Sequence, residues 1–178
     1  MGCLGVHFAI TRRQMNRFMD TAWFNDDLSQ DERDEAVMEL VEQIESAWNR
    51  DELFQTDKAW DGIHRCLTGD GTGKGRLNPA KGEYPLNLCV MGGEHLYMGG
   101  DYTVTLIEPE EVRDLAQALK AVTEEWMRER FFKLKAKATL YPITDAEFEY
   151  VWGNFQGLPA FMAKAARKKR AVIFTVDH

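Results

Sequence analysis

The chain has 178 residues, of which 44% are apolar and 29% are charged, and its formal net charge is -7. This length and apolar content suit one domain, residues 1–178, with one hydrophobic core. The negative charge argues against nucleic-acid binding, because nucleic-acid-binding proteins present an excess of Lys and Arg to the phosphate backbone. The sequence shows neither a membrane-spanning apolar segment nor a secretion signal, so we expect a cytoplasmic protein that does not contact membranes.

The first third of the chain is predicted to form a strand followed by helices. Residues 3–10 are apolar and rich in β-forming side chains, which is typical of a buried strand. Residues 11–14 and 29–32 each match the capping box that opens a helix. Apolar residues recur at helical spacing over 37–48, so the second of these helices is the most strongly indicated. A third helix is predicted over about 56–67.

Negative charge is concentrated in one segment. Between positions 20 and 57 there are thirteen acidic and two basic residues. Such a run is typical of a solvated helix face. It is also compatible with a docking surface for a basic partner, which the local field would attract and orient.

The segment 69–84 is so rich in Gly, Pro and Asn that it predicts an irregular loop. It superficially resembles a phosphate-binding loop. However, Thr68 occupies the first Gly position of that motif, and Gly75 replaces the Ser or Thr that should follow Lys74. We therefore expect no nucleotide triphosphate site in this loop.

The rest of the chain is predicted to contain mainly helices and two further strands. In chain order these are a short helix at 85–91, a strand at 102–107, helices starting at 109 and around 126, a capped helix from 144 that Gly153, Gly157 and Pro159 interrupt, and a strand at 171–176. The fold class is therefore predicted to be α+β. The sheet is expected to be small, mostly antiparallel or mixed, to include both chain termini, and to be covered by several helices.

Familiar catalytic templates do not fit the sequence. The three cysteines Cys3, Cys66 and Cys89 lack metal-ligand spacing, and the four histidines are too scattered to define a zinc site. Serine occurs only at positions 29 and 46, within or at the start of the acidic helix, which argues against a serine hydrolase. We predict no cofactor and no metal, and enzymatic activity is left open, with the balance against it.

One helical segment carries a candidate site. Asp57, Asp61 and His64 are spaced i, i+4 and i+7 and would share a face of the predicted third helix. A carboxylate one turn from an imidazole can fix its tautomer for acid-base chemistry or ligand binding, although the same pair also stabilises an ordinary helix. The opposite face is expected to enter the core through Trp60, Ile63 and Leu67. His64 is therefore predicted to lie at the edge of a cleft, held by Asp61 or Asp57.

Two other segments have polar side chains that invite a functional interpretation. Gly92 and Gly93 precede Glu94 and His95, so a second carboxylate and imidazole follow a pair that allows close backbone approach to a ligand. A simple turn explains the same residues. The basic run 164–170 complements the negative end of a helix dipole and is also a candidate anion or nucleic-acid patch.

Several strings resemble the YfbM-like family of bacterial proteins. They are the opening MGCLGVHFAI, the segment 58–69 with its Trp-Asp-x-x-His-x-x-Leu-Thr-Gly pattern, Asn-Pro-Ala-Lys at 78–81, Gly-Glu-His at 93–95, Glu-Pro-Glu-Glu-Val at 108–112 and Tyr-Pro at 141–142. The resemblance implies a bacterial, cytosolic α+β domain, and it brings no established activity. The positions that match its recognisable strings are Trp60, Asp61, His64, Leu67, Thr68, Gly69, Glu94 and His95.

The sequence favours a non-catalytic binding or interaction module, such as a partner-neutralising protein, with a protein partner at the acidic helix. The alternative is an enzyme or small-polar-ligand binder built around Asp61, His64, Glu94 and His95. Its ligand-binding residues would be Trp60, Asp61, His64, Thr68, Glu94 and His95. This alternative requires the two strings to meet at one pocket.

Overall fold

The computed structural model describes residues 4–24, 27–71, 77–99, 102–137, 139 and 141–177. The strands are β1 (Gly5–Ile10), β2 (Leu53–Asp57), β3 (Glu94–Gly99), β4 (Tyr102–Ile107) and β5 (Ala171–Asp177). The α-helices are α1 (Arg12–Met19), α2 (Gln30–Ala47), α3 (Trp60–Thr68), α4 (Pro109–Ala118), α5 (Glu124–Phe131), α6 (Asp145–Phe155) and α7 (Leu158–Arg167). The predictions that involve Cys3, Lys74, Gly75 and His178 lie outside the described residues.

The strands form one antiparallel sheet with the order β2-β1-β5-β4-β3. β1 and β5, which are far apart in sequence, pair directly from Val6 with Thr175 to Ile10 with Ala171. Their neighbours cover both edges, and residues 171–176 of β5 are all buried. The predicted α+β class, with strands from both ends of the chain in one sheet, is therefore confirmed.

Two strands were not predicted, and both are sheet edges. β2 occupies residues that were assigned in part to the third helix, which begins at Trp60 instead of Thr56. Asp57 thus ends a strand, with a backbone φ of 49°, and cannot share a helix face with Asp61. Glu94 and His95 belong to β3 and not to a turn.

The predicted helix signals are largely confirmed. Both capping boxes form, at Thr11 with Gln14 and at Ser29 with Glu32, and they open α1 and α2. The interruption near Gly157 separates α6 from α7. The described parts of the predicted loop, 69–71 and 77–84, contain neither helix nor strand.

The two faces of the sheet bury separate apolar clusters. One face packs against α1 and α2, and the other lies under α3 to α7. On the face that lies under α3 to α7, five residues on neighbouring strands are directly paired in a row. They are Phe54, His7, Phe174, Thr105 and His95. Paired residues of antiparallel strands point to the same side.

Two polar members of this row fasten a connecting segment onto the sheet. Nε2 of His7 donates to the carbonyl oxygen of Cys89 at 2.8 Å, and Oγ1 of Thr105 donates to the carbonyl oxygen of Val90 at 3.1 Å. Burial lowers the pKa of His7 to about 4, so its imidazole is neutral at pH 7. The chain between the 3-10 turn Leu86–Cys89 and β3 is thereby held against the sheet and beside α3.

Candidate functional site

The helix that carries the predicted site, α3, is enclosed on nearly all sides. Every residue of α3 except Asp61 is buried. The helix contacts α5, α6 and the turn Leu86–Cys89. At Gly62 the approach of α6 is so close that a Cβ would lie 2.7 Å from Cγ2 of Val151. A helix buried in this way has no continuous solvent face, unlike the amphipathic helix expected from the sequence.

Three charged side chains form a cluster inside this packing. Nε of Arg65 donates to Oδ2 of Asp61 at 2.8 Å, and Nη1 of Arg65 lies 3.8 Å from Oδ2 of Asp70. Their side chains are 5%, 18% and 11% exposed for Arg65, Asp61 and Asp70, respectively. Lys81 lies 3.8 Å from the other oxygen of Asp70 and is more exposed. Such a buried network is costly to desolvate and tolerates the loss of a single member poorly.

The prediction for His64 is wrong in two respects. The residue is only 1% exposed, so it does not lie at an open cleft edge. Asp61 bonds to Arg65 and Asp57 accepts from the backbone of Lys58, so neither carboxylate holds the imidazole. The reason is that a guanidinium four residues after Asp61 offers that carboxylate a charged partner on the same helix face.

The imidazole of His64 instead faces the backbone of the loop. Its Nε2 lies 3.4 Å from the carbonyl oxygen of Asn78, whereas its buried Nδ1 has no hydrogen-bond partner among the described residues. Burial is the main cause that lowers the pKa of His64, opposed by the Asn78 contact and by Asp70 and Asp61. The ring is therefore neutral at pH 7, with a lone pair on Nδ1 free to accept.

Trp60 and Thr68, the other two predicted ligand residues on α3, have structural contacts. Trp60 is buried, with its ring tilted over Phe174 at a centroid distance of 6.3 Å. Oγ1 of Thr68 donates to the carbonyl oxygen of His64 at 2.8 Å and accepts from the backbone N–H of Asp70 at 3.2 Å. Thr68 therefore ends the helix and shapes the turn that places Asp70.

The structure joins the string 58–69 to the string 78–81. The backbone N–H of Asn78 donates to Oδ2 of Asp70 at 2.7 Å. Gly82, with a φ of 97°, packs so closely that a Cβ would lie 2.7 Å from Cβ of Thr68. The loop segment after Asn78 is consequently packed onto the end of α3.

Glu94 and His95 lie on β3, where their surroundings differ from those of the buried helix α3. Glu94 is exposed, and His95 is half-buried with a pKa lowered chiefly by burial. No hydrogen bond or ion pair between described residues joins either one to Asp61 or His64. The Gly92–Gly93 pair serves backbone packing, since added Cβ atoms would lie 2.3 Å and 2.6 Å from the carbonyl oxygens of Asn87 and Leu106, respectively.

The buried polar group around Asp61, which we call the α3 cluster, comprises Asp61, His64, Arg65, Asp70 and Tyr141. Sequence reasoning missed the last three of these. Arg65 had a usable signal, because it follows Asp61 by four residues. The spacing of Asp70 and Tyr141 in the sequence gave no such signal, since each reaches the cluster from a segment of irregular structure. Burial, and then the charge of Asp61, raise the pKa of the Tyr141 hydroxyl.

The side chains of this cluster are better suited to hydrogen bonding with a polar group than to covalent catalysis. Burial raises the pKa of Cys66 to about 12, so its thiol is not a ready nucleophile at neutral pH. No group of three or more His, Cys, Asp or Glu side chains in the described ranges is arranged to hold a metal ion. The available groups are the Nδ1 acceptor of His64 and the Nη1 donor of Arg65, which makes no hydrogen bond within the described part of the chain.

A second feature, which we call the acidic groove, lies along α2. It is a recess of about 500 Å³ lined by Glu35, Met38, Glu39, Val41, Glu42, Glu45 and Tyr102. Glu45 is anchored, because its Oε1 accepts from the hydroxyl of Tyr102 at 2.5 Å and from Oγ1 of Thr175 at 3.0 Å. Glu35, Glu39 and Glu42 are exposed, and none of them forms an ion pair with a described residue. None of the helices in the described ranges combines the length and apolar composition needed to cross a bilayer.

Comparison with known proteins identifies relatives but no activity. The chain is similar in fold to the crystal structure of YfbM, a protein of unknown function from Escherichia coli, with a TM-score of 0.65 and 15% sequence identity over 97% of this chain and 99% of that one. No curated protein matches the chain in sequence. Residues 1–175 match the family described as a domain of unknown function, DUF1877. The chain belongs to this DUF1877 family.

Proposed function

We propose that the protein is a non-catalytic interaction module that docks a basic protein partner in the acidic groove. The observation that carries this proposal is the row of exposed carboxylates on α2, which form no ion pair with any residue that the structure describes. Glu35, Glu39 and Glu42 lie at i, i+4 and i+7, so they share one face of the helix. A partner whose active surface is basic would be neutralised by such docking.

These carboxylates are unfavourable for the helix that carries them. Like charges three or four residues apart destabilise a helix. α2 has no basic residue in its last turn to offset them. Cations from a partner would remove this repulsion, which favours binding of a positively charged surface.

The groove also offers apolar contact area beneath the charges. Met38 and Tyr102 are half-buried in its lining, and Val41 is buried. A floor of this kind with a carboxylate rim suits an amphipathic, Lys-rich or Arg-rich segment whose apolar side faces the groove. The charges would speed and orient the encounter, and the apolar contacts would slow dissociation.

The test uses labelled amphipathic peptides of defined charge, because the partner is unidentified. Fluorescence anisotropy should show saturable binding of a helical Lys/Leu peptide that weakens as NaCl rises, and no binding of a matched Glu/Leu peptide. The variant Glu35→Gln/Glu39→Gln/Glu42→Gln should lower the affinity by about tenfold or more.

A matched control separates local recognition from net charge. Glu83, Glu124 and Glu125 are exposed and lie outside the groove, so their triple replacement by Gln removes the same charge elsewhere. This control should bind the Lys/Leu peptide like the wild type. Equal weakening by both triple variants would mean that the peptide responds only to total charge, and the docking site would then be refuted.

A second candidate is a small-polar-ligand binder or enzyme at the α3 cluster, around Asp61, His64, Glu94 and His95. The buried Nδ1 of His64 and Nη1 of Arg65 favour it, because neither forms a hydrogen bond with a described residue and both could bond to an enclosed polar molecule. It ranks second since the described contacts do not join Glu94 or His95 to this cluster. Native mass spectrometry should reveal a bound mass that disappears when Arg65 is replaced, if this candidate is correct.

A further inference from the structure

A second recess lies on the opposite flank of α2, between that helix, α1 and the end of β1. Its volume is about 270 Å³, and we call it the arginine pocket. Its floor is apolar and includes Phe8, Ile10, Phe18 and Leu40, all of them buried. Exposed residues such as Ala47 form part of its rim, so the pocket opens to solvent.

Two arginine residues from different parts of the chain line this pocket. Arg17 belongs to the last turn of α1, and Arg170 lies at the junction between α7 and β5. Neither side chain forms a hydrogen bond or an ion pair with any described residue. Nε of Arg170 is moreover buried and has no hydrogen-bond partner within the described part of the chain. A buried, unsatisfied donor of a charged group is costly unless something bonds to it.

The surroundings of the pocket are locally basic in an otherwise acidic protein. The carboxylate in its lining is Glu52, and this side chain is already paired with Lys168. Lys164 is close by, and its Nζ donates to the carbonyl oxygen of Asp51 at 2.5 Å. The remaining polar side chains of the lining, Thr11, Gln14, Gln43 and Asn49, carry no charge.

We propose that the arginine pocket binds a small amphipathic carboxylic acid. Its hydrocarbon body would lie on the apolar floor, and its carboxylate would bond to Arg17 and Arg170. Guanidinium groups match the planar, two-oxygen geometry of a carboxylate. A monoanion fits better than a phosphate dianion, because the wall also contains Glu52 and like charges repel.

The volume sets the size of this ligand. A volume of 270 Å³ corresponds to roughly nine water molecules at about 30 Å³ each. The ligand should therefore have about ten non-hydrogen atoms, as a medium-chain carboxylate such as octanoate does. This site is separate from the acidic groove, so the inference does not depend on the proposed partner docking.

Isothermal titration calorimetry with three ligands of equal chain length tests the proposal. Octanoate should bind saturably with one-to-one stoichiometry and at least about tenfold more tightly than 1-octanol or octylammonium. Arg170→Gln and Arg17→Gln should each weaken octanoate by about tenfold or more and leave 1-octanol unchanged. Ala47→Phe should block octanoate binding by filling the pocket without removing a charge.

The controls replace arginines that lie near in sequence but outside the lining. Arg13→Gln on α1 and Arg167→Gln on α7 should bind octanoate like the wild type. Arg17 is exposed, so Arg17→Gln keeps the test valid even if Arg170→Gln does not fold. Equal affinity for octylammonium, indifference to Arg17→Gln, or no saturable octanoate binding below about 1 mM would each overturn the proposal.

Discussion

The replacement Arg65→Met removes the cation at the centre of the α3 cluster and should be strongly destabilising. At an effective dielectric constant of about 20, the contacts of 2.8 Å and 3.8 Å correspond to attractions of about 6 and about 4 kcal/mol. Desolvation of the buried ions offsets much of this attraction. The net loss expected when one member of such a buried network is removed is about 3–5 kcal/mol, because Asp61 stays buried without its cationic partner and Asp70 keeps only the more exposed Lys81.

Urea unfolding followed by tryptophan fluorescence measures this loss. For a chain of this length it should also lower Tm by about 10 °C. The double variant Asp61→Leu/Arg65→Met should lose less than the sum of the two single variants, because it removes the orphaned carboxylate as well. Arg113→Met removes an exposed arginine paired with Asp114 and serves as the control, with no resolvable change in the urea midpoint. If Arg65→Met is as harmless as this control, the cluster does not stabilise the fold as described.

Two further predictions concern stability. Burial lowers the pKa of His7 to about 4 in the folded protein. Between pH 6.5 and pH 4, His7 is therefore protonated in the unfolded chain and neutral in the folded chain. Stability should therefore be fully present above pH 6.5 and fall by about 3 kcal/mol towards pH 4. In His7→Gln, urea midpoints measured across this range should decline less steeply, and an unchanged slope would contradict the assignment. Gly153→Ala should stabilise the protein by about 0.5–1 kcal/mol, because a Cβ there meets no atom within 4 Å. Gly62→Ala should instead destabilise it by about 1–3 kcal/mol through overlap with α6, and urea midpoints that move in the same direction for both variants would refute this contrast.

The sequence predicted the parts of the fold whose signals are local. Capping boxes at Thr11 and Ser29 and the apolar run of β5 depend on neighbouring residues, and each was recognised. The edge strands β2 and β3 depend on pairing partners far away in the chain. In β3 an irregularity between His95 and Tyr97 also breaks the alternation that would have revealed a strand.

The packing around the predicted site residues could be anticipated only in part, for a related reason. The segment from Trp60 to Thr68 was recognised, and the structure joins it to Asn78. The partner of Asp61 was predicted wrongly. Helix spacing allows both the imidazole of His64 and the guanidinium of Arg65 to approach this carboxylate, and Arg65 is the residue that bonds to it. The enclosure of His64 could not be foreseen, since it is produced by distant helices and by the loop packing at Gly82.

The position of β5 between β1 and β4 has a consequence for synthesis of the chain. The sheet receives its central strand last, after more than 160 residues have left the ribosome, as the pairing of Val6 with Thr175 shows. Until then β1 and β4 each present an unpaired edge, which is the feature that leads nascent β-proteins to associate with one another. Closing so distant a contact is also slow. A nascent or truncated chain that lacks residues 171–177 would therefore be split at the middle of its sheet and would be a natural client for chaperones.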